Sequence, residues 1–556
     1  MTEPSTNVRP WPLPCIARAA RVRRHWFALG VTGCTAAVAG FLGAQLLAWP
    51  PHEDETLALF VGRESLGGLF DTVLSERGGA PLHFLLAWLV AHMGGGLAEL
   101  RVLSLLFAAA SVPAVALLCL RLSGRGAALV ATAAASASWM LLFHGVYGRM
   151  YSLFLFTSAL SYVALLAALE RGGRRSWAVW AVAVLAVIAG HPYGALVLGS
   201  QGAYVLLLRE RLREASAAFA AVCVVGVPFW VTDVVLAGRF DVGVGGGGTK
   251  LGSPDAVLRY LERVAGDFTA GYSPVTAVVL VLALVGLLHL ARTRPRSALL
   301  AGVVIATPTA ALMLARLGSA TAPESRHLIF VLPLFLMLVG AGIVAVAGLV
   351  PRHAPVLAAL AVAALVPAEV AWGWDRTPPL YTGEPGVRIA ARHAAAAWLA
   401  ATSRPDDVLL GYDPLHLEAW EQGGRVSRLV VPRADSRLAL RTLQSARKPL
   451  GRGVWVFDAS DTNNFVRSLE IPLRYPVPPD GFEARVYGPF LILRTERPAG
   501  TVRRYLKLAR RAQLVGKSLA LGDPDVNLVT VLQASGRLAR YERDRASPAS
   551  RSTVSR

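Results

Sequence analysis

The chain has 556 residues, of which 54% are hydrophobic and only 17% charged, and its mean hydropathy is +0.48. This composition excludes an ordinary soluble domain and indicates a polytopic membrane protein. The formal net charge is +20. The basic residues nevertheless fall in short clusters between apolar runs, which is typical of cytoplasmic loops and not of a nucleic-acid-binding stripe.

The first apolar run, Trp26 to Trp49, predicts a membrane anchor. It has about 24 residues, too long for a typical signal peptide, and no clear cleavage site follows it. Residues 1–25 are expected in the cytoplasm because basic residues precede the run, namely Arg18, Arg21, Arg23 and Arg24. Three of the four cysteines lie inside apolar segments, so no disulfide framework is predicted (Cys15, Cys34, Cys119 and Cys223).

The run His52-Glu53-Asp54-Glu55 directly follows the anchor and opens a first outside loop, residues 50–100. Three carboxylates at a bilayer surface are costly, and such groups usually serve a function. A carboxylate there can take a proton from a hydroxyl group. Residues 81–93 are too short and polar for a span and predict an interfacial helix; if they cross instead, the number of spans rises by one.

Ten further apolar runs have spanning length, and short basic connections alternate with the longer segments between them. The pattern predicts eleven crossings, with twelve as the alternative, and a multi-pass protein of the plasma membrane. The runs are 101–121, 126–143, 149–169, 176–190, 194–208, 216–236, 275–291, 298–316, 327–349 and 355–371. A glycine run at 243–248 is expected to be either a cover for a site or a loose linker.

An odd number of crossings places everything after residue 371 outside the cytoplasm. Residues 372–500 alternate short apolar runs with a helical pattern at Ala390 to Ala401, which predicts a small α/β domain. The expected strands begin at Val408, Leu429 and Val454. Residues 501–556 are expected to be a basic helical tail with a disordered end at 547–556. The predicted fold is thus a helical membrane domain, residues 26–371, followed by an extracytoplasmic α/β domain.

Several segments resemble, in order, the integral-membrane glycosyltransferases of the GT-C superfamily, most closely the family 39 type. That family includes aminoarabinose transferases and protein O-mannosyltransferases. The resembling segments are Asp54-Glu55-Thr56, Ala80 to Leu86, Leu100 to Phe107, Gly148 to Leu153 and Ser325 to Leu328. Gly79, Ala80 and Tyr147 depart from the family pattern. Tyr147 stands where many members have an acidic residue associated with metal binding, so the resemblance leaves open whether a divalent cation is bound here or none.

The resemblance implies a sugar donor on a polyprenyl phosphate and an inverting transfer to a hydroxyl of an unidentified glycan, lipid or protein acceptor. It makes Asp54 the general base. Glu55 is expected to orient the acceptor or bind a cation, or else to support the start of a helix over Thr56 to Phe70.

Arginines at the outer ends of spans are the expected phosphate ligands, because a guanidinium fork matches phosphate oxygens. Arg149 and Arg326 hold such positions, although arginines there also snorkel to lipid head groups. Three more residues are candidate donor or acceptor contacts, with packing or solvation as their simpler roles: Tyr151, His191 and His83.

A transporter or flippase for a lipid-linked or envelope precursor is the main alternative. Such proteins need polar groups near the middle of the membrane. Here the spans are almost uniformly Ala, Leu and Val, and Asp233, His191 and Arg149 lie near span ends on one side. This asymmetry favours an enzyme at the outer face. A ligase that uses a lipid-linked oligosaccharide fits the same fold.

Overall fold

The computed structural model describes residues 14–240, 253–317, 324–423, 427, 429–432, 436–458 and 480–518. It comprises a helical domain and a smaller C-terminal domain built on a five-stranded sheet. The predicted fold class is therefore confirmed. The glycine run at 243–248 and the end at 547–556 lie outside the described residues.

Long apolar helices form the membrane domain, and shorter helices fill its first loop. The apolar helices are α1 Pro14–Gln45, α5 Leu97–Ser123, α6 Arg125–Ala137, α7 Trp139–Val146, α8 Tyr151–Arg171, α9 Gly173–Gly190, α10 Gly194–Leu208, α11 Leu212–Val225, α12 Val227–Phe240, α14 Ser273–Thr293, α15 Pro295–Leu317, α16 Leu332–Ala347 and α17 Ala354–Arg376. The loop helices are α2 Glu53–Gly62, α3 Leu66–Asp71 and α4 Pro81–His92, and α13 Pro254–Phe268 precedes α14.

Every one of the eleven predicted spans is helical. Within the described ranges, seven helices are long and apolar enough to cross a bilayer, or nine if two bent helix pairs each count as one span. The pairs α6–α7 and α11–α12 bend by 50° and 57°. The first bend lies at Ser138, which caps the start of α7. The second lies at Gly226 and Pro228, which interrupt the helix. The 15-residue helix α10 extends about 22 Å, less than a bilayer core of roughly 30 Å. Seven to nine spans are thus supported, and eleven stays a prediction.

The connections between the helices gather at two opposite ends of the domain. At one end, here called the acidic face, Gly148 N–H donates to Glu55 (2.7 Å) and the rings of Tyr151 and His191 lie 5.4 Å apart. At the other, the basic face, Arg211 Nε donates to the Leu169 carbonyl (2.8 Å). The connections at 121–125, 171–175, 209–213 and 292–296 belong to this second group. These four short basic connections therefore lie together at one end of the domain.

The first loop folds differently from the single helix expected over Thr56 to Phe70. Helix α2 begins at Glu53 and ends at Gly62, and α3 starts a new helix after Ser65, whose hydroxyl accepts from Gly68 N–H (3.1 Å). Gly62 allows α2 to cross α4 closely, since a Cβ there would lie 2.9 Å from the Ala87 carbonyl carbon. With 12 residues, about 18 Å, helix α4 is too short to span the bilayer.

The C-terminal domain has strands β1 Val408–Leu410, β2 Leu429–Val431, β3 Gly453–Asp458, β4 Phe482–Tyr487 and β5 Phe490–Thr495. Their order is β2-β1-β3-β5-β4; the first three are parallel, and β5 pairs antiparallel with both β3 and β4. Its helices are α19 Gly386–Thr402, α20 Pro414–Gly423, α21 Ser436–Ser445 and α22 Val502–Ser518, and the short helix α18 Pro379–Thr382, which packs on the membrane domain, leads into it.

Helices cover both faces of this sheet. One hydrophobic cluster joins the sheet to α21 and α22, including Tyr505 and Leu506, which are almost fully buried. Helix α22 is therefore part of the α/β domain, and the domain boundary expected at residue 500 is too early. The other cluster joins the opposite sheet face to α19 and α20, and through them to α2, α4 and the start of α5. The α/β domain consequently packs directly on the first loop.

Candidate active site

The acidic run caps helix α2. His52 Nδ1 accepts from Asp54 N–H (3.2 Å), while Glu55 Oε2 accepts from His52 N–H (3.2 Å), so the two side chains form a reciprocal capping box. Carboxylates in the first turn also match the positive end of the helix dipole. The helix-capping role considered for Glu55 is thus observed.

Glu55 is fully buried, and its carboxylate is bound by an arginine of α5. Arg101 Nε and Nη2 lie 2.8 and 2.7 Å from the two carboxylate oxygens, and Gly148 N–H donates to the first of these oxygens (2.7 Å). Arg101 also donates to the carbonyls of Leu46 (3.0 Å), Trp49 (2.8 Å) and Pro50 (3.2 Å). A buried carboxylate that is already paired in this way does not fit the direct contact with an acceptor or a cation that was expected of Glu55. Its contacts instead join the first loop to the turn that carries Arg149.

Asp54, one position earlier, has a different environment. Its side chain is about one-third exposed, and Oδ2 forms an ion pair with Arg149 Nη1 at 2.8 Å. His52 Nδ1 lies 3.7 Å from the same oxygen. Burial acts to lower the pKa of Arg149, but the Asp54 carboxylate raises it above its ordinary value, so this guanidinium stays charged. The structure thus brings the candidate base to a predicted phosphate ligand.

Tyr151 lies between the two predicted phosphate-binding arginines. The guanidinium carbons of Arg149 and Arg326 are 5.2 and 5.7 Å from the centre of its ring. Arg149 also lies 5.7 Å from the ring of Tyr147. Such contacts orient cations over aromatic faces. Tyr151 is only 1% exposed, so it fixes the spacing of the two arginines, consistent with the packing role considered for it.

The turn that carries Arg326 is also attached to a buried carboxylate. Ser325 Oγ donates to Asp267 Oδ2 (2.6 Å), and Arg376 Nε lies 3.3 Å from Asp267 Oδ1. Asp267 is 3% exposed, and burial raises its pKa although Arg376 and Ser325 oppose the shift. Buried Arg326 Nε has no hydrogen-bond partner among the described residues. A donor therefore remains available on this arginine.

Histidines surround the same tyrosine. The His191 ring stacks on Phe154 (4.4 Å) and its Nδ1 accepts from Tyr193 N–H (3.1 Å). Burial, followed by the charges of His327 and the arginines, lowers the pKa of His191 well below its usual range. Burial and Arg149 lower the pKa of His83 to about 3. Both imidazoles are therefore neutral at physiological pH and are buried next to the charged site.

His144 adds a second unmet polar group. Its ring lies 4.7 Å from that of Tyr151, and both ring nitrogens are buried without a hydrogen-bond partner in the described part of the chain. Buried polar groups are rarely left unpaired, and such exceptions often mark a ligand or an ordered water.

A metal site is not apparent from the described ranges. They contain no group of three or more His, Cys, Asp or Glu side chains that could hold an ion. Glu324 pairs with Arg326 at 2.9 Å.

The predicted site residues do converge: Asp54, Arg149, Tyr151, Arg326, His191 and His83 all lie at the acidic face, with Glu55 buried beneath them. Sequence reasoning missed the roles of Arg101 and Asp267. Arg101 belongs to a resembling segment, Leu100 to Phe107, which was the available signal. Asp267 had none, because its partner Ser325 is 58 residues away.

Solved structures with the same architecture identify the fold. ArnT from Cupriavidus metallidurans in the apo state matches with a TM-score of 0.53 and 15% identity, covering 85% of this chain and 98% of that chain. The same protein bound to undecaprenyl phosphate matches with a TM-score of 0.51 and 14% identity, covering 84% and 98%. The Archaeoglobus fulgidus oligosaccharyltransferase in complex with Zn and sulfate matches with a TM-score of 0.51 and 12% identity, covering 83% of this chain and 72% of that chain. No family sequence model and no curated protein sequence matches the chain.

At these identities the comparison establishes the fold alone. The chain is a multi-pass membrane protein with the GT-C glycosyltransferase fold, as the resemblance predicted. Its membership of the GT-C superfamily, and of family 39 within it, stays a prediction.

Proposed function

We propose that this protein is a glycosyltransferase that moves a hexosyl or pentosyl group from a polyprenyl-phosphate donor to an acceptor hydroxyl. The observation that carries the proposal is the contact of Asp54 with Arg149 at 2.8 Å, beside a second arginine that shares the ring of Tyr151. A proton acceptor and two phosphate ligands thus lie together. The match to ArnT bound to undecaprenyl phosphate supports a lipid phosphate as the carrier.

The proposed reaction is a single displacement. The acceptor oxygen attacks the anomeric carbon, the bond from that carbon to the phosphate oxygen breaks, and the electron pair stays on the phosphate. Asp54 accepts the hydroxyl proton as the new bond forms, and attack from the opposite side inverts the configuration. Arg149 and Arg326 stabilise the charge that the departing phosphate gains, which is a large source of catalysis when the groups are already in place.

The proposed orientation has the N-terminus in the cytoplasm and the acidic face with the α/β domain outside, at the plasma membrane. The clustering of arginine-rich connections at the opposite face supports it, since such connections usually remain cytoplasmic.

A transporter or flippase is less well supported. Buried polar groups within α8, α9 and α10 bond to each other: Tyr162 with Ser200 (2.7 Å), Trp180 with Gln201 (2.7 Å) and Gln201 with Ser161 (2.8 Å). Groups that satisfy one another in this way pack helices together and leave little capacity for a cargo.

The test is sugar transfer by the purified protein from a panel of radiolabelled polyprenyl-phosphate sugars to cell-envelope acceptors. Replacing Asp54 with Asn should lower the rate about 10²–10⁴-fold, the usual contribution of a general base. The matched control is Asp375→Asn, which removes a carboxylate that accepts a hydrogen bond from Tyr272 on the same domain. Equal rates for Asp54→Asn and wild type would refute the base assignment.

A further inference from the structure

We propose that the C-terminal α/β domain positions the general base by holding helix α2 through Tyr412 and Trp420. The domain then does not need to contact the sugar donor in order to control transfer. The role of Asp54 as base rests on the proposed function, whereas the contacts of α2 with the domain do not depend on it.

Helix α2 presents three different sides. Glu53, Thr56 and Phe60 follow the spacing i, i+3, i+7 and therefore share one side. Asp54 and Glu55 are each rotated by about 100° from the preceding residue, so they project in other directions. Asp54 lies against Arg149, and Glu55 lies against Arg101.

The first of these sides contacts the α/β domain at the segment between β1 and α20. Tyr412 N–H donates to Glu53 Oε1 (3.3 Å), and the Thr56 hydroxyl donates to the Tyr412 carbonyl. The ring of Phe60 meets Tyr412 at 5.6 Å and Trp420 at 4.6 Å. Two polar contacts and an aromatic cluster therefore attach the domain to the same turn that carries Asp54.

The contacts continue along α2 and back to the end of α1. At the C-terminal end of α2, Arg63 pairs with Glu421 at 3.4 Å and lies 5.7 Å from the ring of Trp420. At the other end, Glu384 N–H, between α18 and α19, donates to the Ala48 carbonyl (2.7 Å) just before the acidic run. The domain thus holds the first loop at both ends of α2.

Tertiary contacts must fix this helix because it is short. A helix of 10 residues has little stability of its own in water. The Arg101 pair attaches it to the membrane domain, and the Tyr412 contacts attach it to the α/β domain. Loosening the second attachment should let Asp54 drift from Arg149 while both arginines and Tyr151 remain in place.

The inference predicts that the domain affects the chemical step and not donor binding. A displacement of about 1 Å at a catalytic group can cost about 10²-fold in rate. Arg149 and Arg326 stand on the turns before α8 and α16, whereas the contacts described above join the domain to α2 and to the end of α1, so affinity for the lipid phosphate should change less than twofold.

Two substitutions in the full-length protein test this. Trp420→Ala removes the ring beneath Phe60, and Thr56→Val removes the hydroxyl that contacts the carbonyls of Tyr412 and Glu53, with little change in shape. The control is Trp398→Ala, which removes a tryptophan from α19 of the same domain, where it contacts Arg494 (4.3 Å). The measurements are kcat for transfer, the Kd for undecaprenyl phosphate, and hydrogen–deuterium exchange of residues 53–62.

We expect Trp420→Ala to lower kcat at least tenfold and to speed exchange in residues 53–62, with Kd and exchange in residues 97–123 unchanged. Thr56→Val should give a smaller effect in the same direction, and it decides the question if Trp420→Ala does not fold. Unchanged exchange and kcat in Thr56→Val, or an equal effect in Trp398→Ala, would overturn the inference. If the wild type transfers no sugar, the proposed function fails, while the exchange measurement still tests the attachment.

Discussion

Replacing Arg101 with Met should be among the most damaging single changes to this protein. Met keeps an unbranched, flexible side chain, although a shorter one, and removes the charge that faces Glu55. The Glu55 carboxylate is fully buried, and its side-chain exposure and that of Arg101 are 0% and 3%. Without Arg101, a buried carboxylate would keep only its contacts with backbone N–H groups.

The expected cost follows from these contacts. Removing one partner of a buried ion pair costs about 3–5 kcal/mol, because the remaining charge is left uncompensated. Arg101 also donates to three carbonyls, and each lost hydrogen bond adds roughly 1 kcal/mol. Surface pairs are worth about 0–1 kcal/mol, so Arg296→Met, which breaks the exposed contact with Glu210 at 2.5 Å, is the control.

The assay is denaturant unfolding in detergent for Arg101→Met, Glu55→Gln and the double variant. Removing both charges should restore part of the lost stability, since the double variant buries no unpaired carboxylate. Two results would refute the idea that this pair holds the first loop. One is a free energy of unfolding for Arg101→Met within about 1 kcal/mol of wild type, and the other is a double variant whose loss equals the sum of the two single losses.

Two further predictions concern the surroundings of the site. Ser325→Ala removes the hydroxyl that donates to Asp267. It should lower the free energy of unfolding by about 1–3 kcal/mol, and it should weaken the binding of undecaprenyl phosphate, measured by fluorescence titration. Unchanged affinity would show that Asp267 does not position Arg326. The pKa of folded His83 lies below its ordinary 6.5, so its contribution to stability is complete above pH 6.5 and is lost as the pH falls toward 3. At pH 5 the loss in the free energy of unfolding is about 2 kcal/mol. The fall in Tm between pH 7.5 and pH 5 should therefore be smaller for His83→Gln than for wild type. An equal fall in both would contradict the burial argument.

Much of the membrane domain can be predicted because long apolar runs have few alternatives to a helix in a bilayer. The short helix α4 could be predicted as well, because a helix of twelve residues is too short to cross the bilayer. Three of five strands were found where apolar residues run continuously. Strand β4, Phe482–Tyr487, was missed because charged residues interrupt its apolar pattern. Strand β5, Phe490–Thr495, was missed although its first four residues are apolar.

The candidate site was predictable where a single residue type implied a role, as for Asp54 and the two arginines. It was not predictable where the role depends on a distant partner. Glu55 and Arg101 are 46 residues apart, and no local pattern distinguishes a carboxylate that will be buried by such a partner from an exposed neighbour. The same holds for Tyr412, which contacts α2 through its backbone and its ring.

The most direct test of the site is the affinity for undecaprenyl phosphate of Arg149→Gln, Arg326→Gln and the double variant, with Arg121→Gln at the basic face as the control. A hydrogen bond to a charged group is worth about 1.5–3 kcal/mol, so each single variant should bind roughly 10–150-fold more weakly. The double variant should bind more weakly still, while Arg121→Gln binds like wild type. Wild-type affinity in both single variants would show that the two arginines do not hold the lipid phosphate.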